Sequence, residues 1–107
     1  MLINTGWSRY FGTDQYFEGH PFLTESAACY LRDNGAALVG IDSLNIDDIT
    51  DGKRPVHTTL LRSNIPIVEH LTNLHSLPNQ GFRFFAVPAK IQKFGTFPVR
   101  AFAIIDH

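Results

Sequence analysis

The sequence predicts an α/β fold, a mixed sheet with a helix packed on it. Residues 24–34 show helical periodicity between capping signals, and short apolar runs of strand length lie before and after this segment. Hydrophobic residues make up 44% of the chain and charged residues 18%, which is a globular balance. At 107 residues we expect a single domain, residues 1–107, with a limited core.

The N-terminal part combines a short strand with an aromatic segment. Leu2 and Ile3 begin a strand that ends at the turn signal Thr5-Gly6. Residues 7–22 are irregular and rich in aromatic side chains, among them Trp7, Tyr10 and Phe11. Such side chains either pack a loop onto the core or line an apolar pocket for a flat ligand. Both interpretations stay open.

A helix followed by a strand is predicted next. Thr24 is a suitable N-cap, residues 27–31 give the apolar face, and Asn34-Gly35 ends the helix. The apolar run 37–41 predicts a strand bounded by Asp42 and Ser43.

Four aspartates mark the polar segment 42–54, at positions 42, 47, 48 and 51. Their spacing lacks the loop pattern of an EF-hand, which disfavours a calcium site. Asp47 is better explained as a residue that caps a local turn.

The segment 55–74 predicts helical turns at 58–63 and an ambiguous apolar run at 65–68. If that run is a strand, Glu69 points to the same side as Ile65 and Ile67 and faces inward. If a helix begins near Pro66, Glu69 lies off the apolar stripe. Two further strands are predicted at 82–88 and 97–105, with Gly95-Thr96 in the turn between them.

Charge and cysteine content exclude several classes of function. The net charge is −1 with scattered cations, which gives no electrostatic footprint for nucleic acid or an anionic membrane. No apolar run reaches the ~20 residues that span a bilayer. The N-terminus shows no signal peptide, and the single Cys29 cannot form an internal disulfide. We therefore expect a cytoplasmic setting, with Cys29 as a small buried residue of the helix.

His57 and Glu69 are the candidate site residues, twelve positions apart. A carboxylate among apolar residues is costly to desolvate unless a cation meets it. Imidazole plus carboxylate is a common ligand set for zinc or manganese. Two ligands are too few for a catalytic zinc, which usually takes three from the protein. The pair alone is weak support for a metal, since His57 also suits a helix start and Glu69 a solvated position.

The sequence around the pair resembles the putative cyclase family, which contains bacterial kynurenine formamidases and isatin hydrolases. The matching pieces run in order along nearly the whole chain: TGW at 5–7, Pro21 with Leu23, the Ala-rich stretch ending in Tyr30-Leu31, VGIDS at 39–43, His57 with Leu60-Leu61, IVEHLTNL at 67–74 and PVRAFA at 98–103. The resemblance implies the swivelling β/β/α architecture and a metal-dependent amide hydrolase. It assigns His57 and Glu69 as metal ligands.

The resemblance also shows a departure from the family pattern. The family's HxGTHxDxPxH segment, which supplies two histidines and an aspartate to the metal and a further histidine as acid/base, has no match in residues 1–107. The chain therefore resembles the C-terminal half of such an enzyme.

Two functions are expected from this pattern. In the first, the chain is part of a hydrolase of amide or cyclic amide bonds, arylformamidase-like, that is inactive as an isolated half. Trp7, Tyr10 and Phe11 would then contact a small aromatic amide substrate. In the second, it is a non-catalytic homologue that serves as an oligomerisation or scaffold subunit. Either a second copy or a chain carrying the missing half is the expected partner, because half of a β-rich domain leaves sheet edges and apolar faces uncovered.

Overall fold

A computed structural model describes residues 1–88, 96 and 98–105, which divide into two compact units, Met1–Leu74 and His75–His107. The first unit contains strands β1 (Leu2–Ile3), β2 (Val39–Ile41) and β3 (Ile67–Val68) and helices α1 (Glu25–Asp33) and α2 (Pro55–Arg62). It also has 3-10 turns at Trp7–Tyr10 and Asp14–Phe17, and a third 3-10 turn, Leu74–Ser76, lies at the boundary. The α/β class predicted from sequence is confirmed.

The three strands of the first unit form a parallel sheet with β2 in the centre. Each connection contains a helix, α1 between β1 and β2 and α2 between β2 and β3, so the unit is two successive βαβ crossovers. A side chain at Gly40, in the middle of β2, would displace its neighbours, because a Cβ there would lie 2.7 Å from Leu2 Cδ2 and 2.8 Å from Leu71 Cδ1. Because the three strands are parallel, their carboxyl ends and the loops that follow them lie close together at one edge of the sheet.

The helices are held by their caps and by one shared core. Thr24 caps α1 as predicted, accepting a hydrogen bond from Ala27 N at 3.2 Å, and Gly35 follows the helix with a left-handed φ of 76°. α1 packs against α2. The buried core that joins both helices to β2 consists of Ala28, Leu31, Val39, Ile41, Ile46, Val56, Leu60 and Ile65. Cys29 of α1 is a free, half-buried thiol.

The second unit contains an antiparallel hairpin of β4 (Phe82–Pro88) and β5 (Val99–Ile105). Phe85 and Phe102 face each other across it, with ring centroids 5.0 Å apart and planes 15° apart. All four predicted strands are present, but the described residues form two sheets instead of the expected single mixed sheet. Of the predicted turn at 95–96, Gly95 lies outside the described residues.

Two details of the middle segment differ from expectation or resolve it. Helix α2 begins at Pro55, three residues earlier than predicted, because proline suits the first helical turn. The ambiguous run 65–68 ends in strand β3, not in a helix. None of the helices in the part of the chain that the structure describes is long and apolar enough to cross a bilayer.

Candidate metal-ligand site

His57 and Glu69 meet at the carboxyl edge of the parallel sheet. Glu69 directly follows β3, and His57 lies in the first turn of α2. Their closest atoms, His57 Nε2 and Glu69 Oε2, are 3.4 Å apart. Both side chains are mostly buried, with 12% of His57 and 22% of Glu69 exposed. The structure thus brings together the two residues that the resemblance assigns as metal ligands, and their role as ligands stays a prediction.

The Glu69 carboxylate is held in place by the loop after β2. Its Oε2 accepts a hydrogen bond from Ile46 N at 2.7 Å. The next residue, His70, has a left-handed φ of 62°, and its backbone N–H donates to Ser43 O at 3.0 Å. Glu69 is thus fixed between two loops that follow neighbouring strands, with one oxygen directed at the imidazole of His57.

Asp47 is the residue of this site that sequence reasoning missed. It was expected to cap a local turn, but its carboxylate caps the start of α2. Val56, the first residue that it binds there, is nine positions further along the chain. Oδ1 accepts from Val56 N at 2.8 Å, and Oδ2 accepts from His57 N at 2.8 Å. Arg54, which precedes the helix, offers no capping side chain, so Asp47 supplies the acceptor that the helix N-terminus needs.

Each ring nitrogen of His57 therefore faces a carboxylate. Nδ1 lies 2.7 Å from Asp47 Oδ2, and Nε2 faces Glu69. Interaction with Glu69, and to a smaller degree with Asp47, raises the pKa of His57 against the opposing effect of burial. Burial works to raise the pKa of Glu69, but the hydrogen bonds from His57 and Ile46 N–H outweigh it, and this pKa is lowered.

An apolar cleft is lined in part by His70, the residue that follows Glu69 in the chain. It has a volume of about 290 Å³ and is lined by Phe11, Gly12, Thr13, Asp14, Tyr16, Phe17 and His70. Tyr16 Oη lies 3.0 Å from His70 Nδ1. Burial, and then the charges of Asp42 and Glu69, raise the pKa of Tyr16 to about 12, so the hydroxyl stays protonated near neutral pH.

The three aromatic candidates are placed differently. Phe11 lines the cleft and packs edge-on against Tyr16, with ring centroids 5.4 Å apart. Trp7 and Tyr10 are not among the cleft residues. Their rings pack together at 4.7 Å, and Trp7 Nε1 donates to Tyr16 O at 3.0 Å. Trp7 thus braces the segment that carries Tyr16.

The two pKa shifts predict how stability depends on pH in the metal-free chain. The raised pKa of His57 gives stability that is full below its ordinary pKa of 6.5 and is lost as the pH rises through the folded value. The lowered pKa of Glu69 gives stability that is full above 4.5 and is lost as the pH falls. The pair therefore stabilises most between pH 4.5 and 6.5. The free energy of unfolding, measured with urea from pH 5 to 9 in the presence of a chelator, should decline above pH 6.5. His57→Gln should reduce this decline, whereas His75→Gln, at an exposed position, should leave it unchanged.

Comparison with known proteins agrees with this fold. The family model described as "Putative cyclase" matches residues 1–48. An uncharacterized protein of Methanocaldococcus jannaschii is 37% identical over 109 residues, covering 98% of this chain and 53% of that protein. The kynurenine formamidase of Geobacillus thermodenitrificans is 32% identical over 102 residues, covering 94% of this chain and 47% of the enzyme. The chain thus spans about half the length of these relatives.

Two solved structures are similar to this chain. An isatin hydrolase bound to the product analogue thioisatinate superposes with a TM-score of 0.85 and 27% identity, over 99% of this chain and 45% of that one. A potential metal-dependent hydrolase with cyclase activity gives a TM-score of 0.66 and 32% identity, over 83% of this chain and 46% of that one. By sequence and by fold, the chain is similar to about half of a protein of the putative cyclase family.

Proposed function

We propose that this chain supplies His57 and Glu69 as two ligands of a divalent metal, zinc or manganese, in a hydrolase of amide or cyclic amide bonds. The observation that carries the proposal is the 3.4 Å separation of His57 Nε2 and Glu69 Oε2. Two atoms that each lie about 2.1 Å from a tetrahedral zinc are about 3.4 Å apart. The donor types, the spacing and the partial burial therefore fit one edge of a metal site.

The remaining ligands must come from another segment. Among residues 1–88, 96 and 98–105, no group of three or more histidine, cysteine, aspartate or glutamate side chains could hold a metal. The resemblance places further ligands on an HxGTHxDxPxH segment that residues 1–107 lack. Relatives about twice as long as this chain have room for such a segment. We propose that the chain is inactive until it is paired with a polypeptide that carries it.

The bound metal would supply a Lewis acid that polarises the substrate carbonyl and lowers the pKa of water. The chain's own residues would hold that metal through His57 and Glu69 and exclude bulk water by their burial. The names of the relatives, kynurenine formamidase and isatin hydrolase, point to substrates with an aryl group beside the amide. The apolar cleft lined by Phe11 also contains the protonated Tyr16 hydroxyl, and this combination suits an aryl group.

Zinc and manganese titrations of the isolated chain test this proposal. With two protein ligands the binding should be weak. At a metal concentration equal to the dissociation constant the gain is about 0.4 kcal/mol, which corresponds to about 2–3 °C in Tm for a domain of this size. His57→Ala and Glu69→Ala should each abolish the shift, whereas His75→Ala should keep it. A shift that survives both substitutions would place the metal elsewhere and defeat the proposal.

A second candidate is a non-catalytic oligomerisation or scaffold subunit. The observation that favours it is the apolar surface of the hairpin, where Phe85, Val87, Phe102 and Ile104 are each at least 36% exposed. Surfaces of this kind mark sites of protein association. A chain that binds no metal in the titration, but forms dimers or larger assemblies in light scattering, would have this function.

A further inference from the structure

Asp47 makes three hydrogen bonds, and only 1% of its surface is exposed. Two come from the backbone N–H groups of Val56 and His57, both at 2.8 Å, and the third partner is His57 Nδ1 at 2.7 Å. The two backbone bonds fix the carboxylate at the start of α2, where the helix dipole also favours a negative charge. The position of the carboxylate is thus fixed independently of its contact with the imidazole.

This contact decides which ring nitrogen of His57 carries hydrogen. An ionised carboxylate only accepts hydrogen bonds, so Nδ1 must donate to Oδ2. A neutral ring has one N–H, and Nε2 is then left with a free lone pair. Nε2 is the nitrogen that faces Glu69 Oε2. Because both of those atoms present lone pairs, a cation or a proton belongs between them.

We infer that Asp47 is a positioning residue, which holds His57 in the tautomer and orientation that present Nε2 to a cation shared with Glu69. The cation rests on the proposed function, but the tautomer does not. A carboxylate behind a metal-binding histidine fixes its ring and raises its basicity, and loss of such a partner costs about 10–100-fold in metal affinity. Asp47 acts through His57 and does not itself contact the metal.

The neighbouring Asp48 provides a matched control. Its Oδ1 accepts from Thr50 N at 3.0 Å and from Thr50 Oγ1 at 2.8 Å, so it closes a turn of its own. Asp47→Asn and Asp48→Asn each remove one negative charge, one position apart. Only the first changes the group that faces His57. An asparagine that keeps its oxygen on Val56 N–H turns its NH2 toward His57 and favours Nε2–H. In the opposite orientation the NH2 meets Val56 N–H and only a neutral oxygen is left for Nδ1–H, so both orientations weaken the preference for Nδ1–H.

The first test is the tautomer of His57, read from ring ¹⁵N NMR shifts of the metal-free chain at alkaline pH, where the ring is neutral. We expect the Nδ1–H form in the wild type and in Asp48→Asn, and a shift toward Nε2–H in Asp47→Asn. An Nε2–H wild type, or an Asp47→Asn spectrum like that of the wild type, would overturn the inference. If Asp47→Asn does not fold, the wild-type tautomer decides alone.

The second test adds zinc and follows the same resonances. Zinc should perturb Nε2 of His57 in the wild type, with affinity about 10–100-fold weaker in Asp47→Asn and within about twofold of wild type in Asp48→Asn. Equal affinities in the two variants would contradict the positioning role. If zinc leaves His57 unperturbed in the wild type, the proposed metal function fails, while the tautomer of the metal-free chain still decides whether Asp47 orients the ring.

Discussion

Leu60→Ala is expected to lower the free energy of unfolding of the first unit by about 3 kcal/mol, within the range of 2–5 kcal/mol typical of buried leucines. Leu60 is fully buried in the core that joins both helices to β2, and it lies one turn after Val56 on the inner face of α2. Truncation removes apolar contacts and leaves a cavity that close-packed neighbours cannot fill. For a domain of this size such a loss is a large part of the total stability.

Leu61 is the matched control, with the same side chain on the same helix but 54% exposed. Leu61→Ala should change the free energy of unfolding by no more than about 0.5 kcal/mol. Urea unfolding followed by circular dichroism measures both variants, and an unchanged m-value ensures that the comparison reports stability. Similar losses at the two positions would contradict the inward orientation of Leu60 on α2.

Local signals explain why much of the fold was predictable. Helix α1 carries its cap, its apolar face and its terminating glycine within one short segment, and it was predicted to within one residue at each end. The sheet pairing was less accessible. Strands of two or three residues, such as β1 and β3, carry little periodicity, and the pairing of β2 between them depends on contacts far apart in sequence.

The site shows the same division. The convergence of His57 and Glu69 was expected from family resemblance, whereas Asp47 appeared as one acid among four in a polar loop. Its partners, Val56 and His57, are nine and ten positions away, and no local pattern connects them. One signal was available. Arg54, which precedes helix α2, provides no capping side chain, so an acceptor from elsewhere in the chain was needed.

Removal of either proposed ligand should cost about a thousandfold in hydrolysis once the site is completed. Metal polarisation of a carbonyl provides several kcal/mol of transition-state stabilisation, and about 4 kcal/mol corresponds to about a thousandfold in rate. The assay combines this chain with a polypeptide carrying the Gly-Thr-His-x-Asp segment, adds zinc or manganese, and measures hydrolysis of N-formylkynurenine or a cyclic amide. His57→Ala and Glu69→Ala should each reduce kcat/KM by this factor.

The two substitutions should also be non-additive. Since either substitution removes the same metal, kcat/KM of the double variant should lie within about tenfold of that of the less active single variant. His75→Ala and Glu18→Ala, at exposed positions, control for the loss of a histidine and of a carboxylate and should keep full activity. Single losses that multiply in the double variant would mean that His57 and Glu69 act independently and do not share a metal. The absence of turnover with every combination of metal and partner would favour the non-catalytic function, because the geometry of the pair would then serve stability alone.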